Sequence, residues 1–214
     1  MKYLAVFFSV ALVLLVRPGV SRAGEEALYA PRAPAGSAFI RLFNATPAAG
    51  AGGRLQTVQL RADSAYGASP YAFLPPGPGT LQAGGHALAV DLAANRSYTA
   101  VLLPDRLVLV DDPELPGRRK ALLVLYNLTG SAHVSLRTRK KHRVVVGETA
   151  SMSCSLRAVN PVRVELDVLD GDALFARAPL VSLERGRMFS LFVCGDRSAP
   201  VVVWVENGPT RGGD

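Results

Sequence analysis

Ser131 and His133, two residues apart, are the nearest this chain comes to pairing a nucleophile with a base. Acyl transfer on such a pair needs the imidazole within hydrogen-bond reach of the hydroxyl, a carboxylate to orient the ring, and donors for the oxyanion. Histidine occurs only at His86, His133 and His142, and no Gly-x-Ser-x-Gly elbow is present. Two residues apart on one strand, the side chains share a face, with no evident carboxylate to hold the ring. The pair reads as a turn serine and a strand histidine, and no catalytic residue is assigned. Metal chemistry finds no Cys-x-x-Cys and no His-Glu-x-x-His. Asp170-Gly171-Asp172 has the look of a calcium loop, yet Asp-Gly between an alternating strand and Ala173-Leu174-Phe175 is what a tight hairpin turn wants. No metal or cofactor site is assigned either.

The densest charge is Arg137-Thr-Arg139-Lys140-Lys141-His142-Arg143, and Arg118-Arg119-Lys120 leads into the same region. A polyuronate carries one carboxylate per sugar. The basic residues Arg118, Arg119, Lys120, Arg137, Arg139, Lys140, Lys141 and Arg143 are therefore a candidate contact for a polyanion or a partner. The competing reading is a solvated loop. Cys154 and Cys194 are the only cysteines, and in an oxidising compartment they form a candidate disulfide. The alternative is two small thiols packed as hydrophobes. Asn44, Asn95 and Asn127 each open an Asn-x-Ser/Thr triplet, and at Asn44 and Asn127 a side chain bonding its own backbone two residues on accounts for the asparagine without sugar.

What positions these residues is a repeat. Ala38-Phe-Ile-Arg-Leu-Phe-Asn44-Ala-Thr46 returns as Ala121-Leu-Leu-Val-Leu-Tyr-Asn127-Leu-Thr129, with alanine, aromatic, asparagine and threonine in register. Val162 to Leu169 alternates apolar and polar residues at the period of a half-buried strand. Short apolar runs between Pro, Gly, Asn and Asp clusters recur along the chain, which predicts an all-β protein of two tandem antiparallel β-sandwich domains. Their expected limits are 24–112 and 120–206, joined by a Pro/Gly/charged linker over 113–119 and followed by a flexible tail over 207–214. Thr46 to Gly53 reads as a loosened Ala/Gly-rich hairpin loop.

Lys2, the apolar stretch from Tyr3 to Val16 and Ser21-Arg22-Ala23 read as a cleaved export signal over 1–23. Its removal takes three of the basic residues behind the formal charge of +7. In an exported chain this modest basic excess points to anionic glycans or lipid head groups as partners, or simply to solubility, and away from nucleic acid.

Leu28-Tyr-Ala-Pro-Arg-Ala-Pro-Ala-Gly-Ser-Ala-Phe-Ile-Arg41, Phe73-Leu-Pro-Pro-Gly77, Lys120-Ala-Leu122, Asn127-Leu-Thr-Gly-Ser131, Asn160-Pro-Val-Arg-Val164 and Ala199-Pro-Val201 with Trp204 together resemble the AlgF family of alginate O-acetylation proteins. The resemblance spans Leu28 to Val205. It implies a periplasmic, non-catalytic adaptor for adding acetyl groups to O-2 and O-3 of mannuronate residues. The implied partners are periplasmic alginate O-acetyltransferases and a membrane-embedded acyl carrier, with the alginate polymer as a further candidate. Two other classes stay open: a stand-alone carbohydrate-binding module, and an acetyltransferase in its own right.

Overall fold

A computed structural model describes residues 33–114 and 119–207. The expected signal segment, residues 115–118 of the expected linker (Arg118 included) and the tail beyond 207 lie outside the described residues. No helix occurs among the described residues, in accord with the all-β expectation. The first half contains β1 (Ala38–Asn44), β2 (Ala51–Leu55), β3 (Val58–Ala62), β4 (Ala72–Leu74), β5 (Gly77–Ala83), β6 (His86–Leu92), β7 (Ser97–Leu102) and β8 (Leu107–Asp111). They form an inner sheet ordered β4-β1-β7-β8 and an outer sheet ordered β3-β2-β5-β6.

The second half continues with β9 (Ala121–Asn127), β10 (Val134–Thr138), β11 (Val144–Thr149), β12 (Ser153–Val159), β13 (Val162–Val164), β14 (Leu166–Asp170), β15 (Ala173–Arg177), β16 (Val181–Leu183), β17 (Met188–Gly195) and β18 (Pro200–Asn207). Its inner sheet is β12-β9-β17-β18 and its outer sheet β11-β10-β14-β15, with β13 and β16 as an added two-stranded ribbon. The topology of the first half is thus used again.

Pairing is antiparallel except at the centre of each inner sheet, where β1 runs parallel to β7 and β9 parallel to β17. These four strands are buried along nearly their whole length. A strand covered on both faces reads as a continuous apolar run rather than an alternation, as Ala121 to Tyr126 does. Alternate residues serve different cores. Ala38, Ile40 and Leu42 of β1 pack with Leu55, Leu60 and Leu81 of the outer sheet. Ala121, Leu123 and Leu125 of β9 do the same against Val134, Leu136 and Val168. The other faces of the two inner sheets meet in a third core, where Phe43, Val101 and Val110 pack with Val124, Tyr126 and Phe192. The Phe192 ring stacks on Phe43 at 3.8 Å and on Tyr126 at 4.4 Å between centroids. The described residues accordingly fall in one compact unit.

The Asn-x-Thr element closes β1 and β9 in the same way. Asn44 Oδ1 accepts from Thr46 N and Oγ1, and Asn44 Nδ2 donates to the carbonyls of Ala48 and Ser64. Asn127 Oδ1 accepts from Thr129 N and Oγ1, and its Nδ2 donates to Ser131 O at 2.6 Å and Thr149 O at 2.8 Å. Both asparagines are fully buried, which leaves no site for a glycan.

Two expectations are corrected. Ala51, Gly52 and Gly53, placed at the end of a loosened loop over Thr46 to Gly53, belong instead to strand β2 inside the outer sheet, paired with β3 and β5. Glycine is poor for strands on propensity, but a Cβ at Gly53 would stand 3.3 Å from Ala83 Cβ and Gln82 O and 3.4 Å from Leu42 Cδ2. Close approach of the paired strand β5, with Leu42 of the inner sheet beyond it, selects it. The alternating run from Val162 to Leu169 breaks at Glu165, whose carbonyl accepts from Arg139 N at 3.1 Å. Before the break the chain pairs with β16, and after it with β10 and β15.

Replacing Asn127 by alanine strands two carbonyls and an N–H in a buried loop, and a loss of about 2–3 kcal/mol is expected in urea unfolding. Asn44→Ala should cost less, because the Thr46 loop it holds is more open to water.

Candidate functional site

The structure supplies the carboxylates that were not evident beside Ser131 and His133, but gives one to each. His133 Nδ1 lies 3.0 Å from Glu148 Oε2 on the neighbouring β11. That hydrogen bond, with the carboxylate's charge, holds the imidazole pKa above its ordinary value, although the ring is 64 % exposed. Ser131 Oγ donates to Asp170 Oδ1 and accepts from the backbone N of His133. Asp170 also takes a two-pronged ion pair from Arg197, at 3.0 and 2.9 Å. The Ser131 hydroxyl and then Arg197 hold the Asp170 carboxyl below the usual carboxylate range, which makes it a weak base. No hydrogen bond joins the Ser131 hydroxyl to the His133 ring among the described residues. Asp170-Gly171-Asp172 is a hairpin turn with Gly171 at φ +62, and Asp172 pairs with Arg137 at 3.2 Å. Among the described residues, no three His, Cys, Asp or Glu side chains gather in a group able to hold a metal.

The basic residues divide into two kinds. Arg139 is half-buried and spent on Glu165 at 3.1 Å, Asp167 at 3.0 Å and the Ala178 carbonyl. Arg137 is taken by Asp172. Lys140, Lys141 and Arg143 stand exposed at the β10–β11 tip, with no carboxylate partner among the described residues. Arg119 and Lys120 are exposed as well, and the ribbon connects the two runs. One of its ends leads into Glu165 beside Arg139, and the other leads to Gly186, whose N–H donates to Lys120 O.

Cys154 and Cys194 are free thiols, so the candidate disulfide is corrected. Cys154 pairs in register with Tyr126, which on its other side pairs with Phe192, so β9 stands between the two cysteine strands. Two strand spacings are about 10 Å, beyond the roughly 7 Å limit for bridged Cα atoms. Both cysteines pack in the third core, where burial pushes each thiol up to about 12.

The most consequential polar cluster was missed in sequence. Arg41 is 1 % and Asp112 2 % exposed, both between the two inner sheets. Arg41 Nε donates to Thr99 Oγ1 at 2.9 Å, and its Nη2 donates to Tyr126 OH at 3.0 Å and Ser190 Oγ at 3.2 Å. The Thr99 and Tyr126 hydroxyls in turn donate hydrogen bonds to Asp112, as Tyr71 does at 2.7 Å. The guanidinium carbon also sits 4.7 Å from the Tyr71 ring centre. Burial opposes the charge on Arg41, but Tyr126, Tyr71 and Asp112 outweigh it, and its pKa stands above the ordinary arginine value. Burial likewise drives the Tyr126 phenol well up. Arg41, Tyr71, Thr99 and Asp112 belong to the first half, Tyr126 and Ser190 to the second. Asp112, the last residue of the expected first domain, is a buried acceptor. The available signal was Arg41 itself, a charge inside the otherwise apolar run from Ala38 to Phe43, whose repeat counterpart is Val124.

Comparison with known proteins gives a consistent result. The family model described as Alginate O-acetyl transferase AlgF matches residues 11–190. The Alginate biosynthesis protein AlgF of Pseudomonas putida is 36 % identical over 207 residues, covering 92 % of this chain and 94 % of that protein. The protein of the same name from Pseudomonas aeruginosa is 36 % identical over 197 residues, covering 92 % and 90 %. A solved structure of the C-terminal domain of AlgF from P. aeruginosa is 34 % identical, covers 42 % of this chain and 99 % of that one, and superposes with a TM-score of 0.38.

Two outcomes test this geometry. Arg41→Ala leaves Asp112 buried without its cation and should lower stability by about 3–5 kcal/mol in urea unfolding. Adding Asp112→Asn should recover part of the loss, a coupling that independent sites would not show. In an NMR titration His133 should titrate above free imidazole, and Glu148→Gln should bring it down. Because the folded value is raised, the stabilisation from this exposed pair is present below the unfolded pKa and fades as pH rises through the folded one.

Proposed function

The chain belongs to the AlgF family, and on that footing we propose that it serves alginate O-acetylation as a periplasmic, non-catalytic adaptor. The observation that carries this reading is the separation of Ser131 from His133. A serine nucleophile needs the imidazole on its hydroxyl, whereas here Asp170 holds the hydroxyl and Glu148 holds the imidazole. The chain also offers what an adaptor needs. Its two halves are locked by a shared core and a buried polar cluster into one body, so partners docked on different faces keep a set distance. Periplasmic O-acetyltransferases perform the bond-making on O-2 and O-3 of mannuronate, and a membrane-embedded acyl carrier supplies the acetyl group. The adaptor contributes docking area to that relay.

Deleting the gene in an alginate-producing host should abolish or sharply reduce polymer acetylation. Complementation with the Ser131→Ala/His133→Ala variant should restore it as fully as the unchanged protein, and both proteins should co-purify with a periplasmic O-acetyltransferase. Failure of a folded double variant to restore acetylation would overturn the adaptor reading in favour of catalysis.

A further inference from the structure

Charge is unevenly divided between the halves. From residue 33 to 114 there are five Lys and Arg against six Asp and Glu, and from 119 to 207 thirteen against eight. Within the second half, four of the nine cations with no ion-pair partner among the described residues lie at one end of the outer sheet. Thr138 pairs with Leu166, and Arg137 with Val144, so the end of β10 and the starts of β11 and β14 coincide. The β10–β11 tip carries Lys140, Lys141 and Arg143 there, and Arg163 of the adjoining ribbon is exposed beside it. None of these four has an ion-pair partner among the described residues.

Three of the five exposed large hydrophobic side chains among the described residues belong to the tip and the ribbon: Val144 at 53 % opens β11, Val162 at 48 % opens β13 and Leu180 at 49 % immediately precedes β16. The tip is also well shaped. Thr138 O accepts from His142 N at 2.8 Å, Thr138 N donates to Arg143 O at 2.9 Å, and Thr138 Oγ1 accepts from Arg143 N at 3.1 Å. His142 sits at φ 49, a conformation histidine tolerates better than most residues, and residues 140–144 are all exposed.

We propose that this tip and ribbon dock the protein on an anionic lipid surface, with Lys140, Lys141, Arg143 and Arg163 reaching head-group phosphates and Val144, Val162 and Leu180 entering the interfacial region. The chemistry selects this occupant. Aliphatic tips set among free cations suit a bilayer interface, which rewards both apolar burial and contact with anionic lipid. A hydrated polysaccharide would call for exposed aromatic faces, and Trp204 is half-buried with its Nε1 donating to Pro179 O at 2.9 Å. A protein interface is depleted of lysine at its centre. This inference goes beyond the adaptor reading and does not depend on it.

The test is flotation of the full chain with vesicles of equal parts phosphatidylglycerol and phosphatidylethanolamine, alongside phosphatidylcholine vesicles. Binding is expected to the anionic vesicles alone and should weaken as salt is raised. Lys140→Glu/Lys141→Glu/Arg143→Glu should weaken partitioning on the order of a hundredfold. The same charge change at Arg54, Arg61 and Arg106 of the first half should leave most of it in place, and Val144→Asp should weaken it with only one charge added. Retention of binding by the triple tip variant, an equal loss from the first-half variant, or no binding to anionic vesicles at low salt would overturn the proposal. So would salt-sensitive retention on polymannuronate or on an acidic protein without vesicle binding. Because purified protein and lipid suffice, failure here leaves the acetylation experiment to judge the adaptor reading separately.

Discussion

The architecture depends on one buried charge pair bridged by hydroxyls. A guanidinium and a carboxylate between two apolar sheets are tolerable only if nearly every polar atom is satisfied. Arg41 and Asp112 meet that condition through Thr99, Tyr126, Tyr71 and Ser190, but only when the two halves are together, because Tyr126 and Ser190 come from the far side. Buried ion pairs are often no more stabilising than apolar replacements of the same volume. What this one adds is direction. The apolar residues around it would permit many offsets between the sheets, whereas the fork of Arg41 fits Thr99 on its own sheet and Tyr126 and Ser190 on the other in one arrangement.

Around that joint the chain uses the same solution twice. Each half places a strand buried on both faces at the centre of its inner sheet, ends it at a buried asparagine that opens an Asn-x-Thr loop, and covers one side with an outer sheet of matching order. The uncovered sides then cover one another. A duplicated sandwich solves in this way a problem neither copy solves alone, since Phe43 and Tyr126 would otherwise face water. The rings of both stack on Phe192.

The outward surface follows from what remains after internal pairing. Seven closely spaced residues from Arg137 to Arg143 look like one comb, but strand pairing brings Glu165, Asp167 and Asp172 against two of its arginines. The residual cations and the aliphatic side chains next to them define a smaller face with a different meaning. Similarly, the Ser131–His133 pair takes its character from Glu148 and Asp170, both distant in sequence, which draw the two groups apart instead of setting up proton transfer.

Local patterns carried much of this protein. Continuous apolar runs, turn residues and the recurrence of Asn44 and Asn127 sufficed for strands, sandwich class and duplication, because these depend on side-chain periodicity and on bonds made within a few residues. Tertiary structure decided what depends on approach between distant segments. Ala51 to Gly53 became strand because β3 and β5 pair with β2 and bring Ala83 close against Gly53, Val162 to Leu169 split because Arg139 claims Glu165, and Cys154 and Cys194 stayed apart because β9 runs between them. The burial of Arg41 and Asp112 belongs to the same class. A charge looks solvated in sequence unless its partners are known, and here the partners lie across an interface that exists only once both halves have folded.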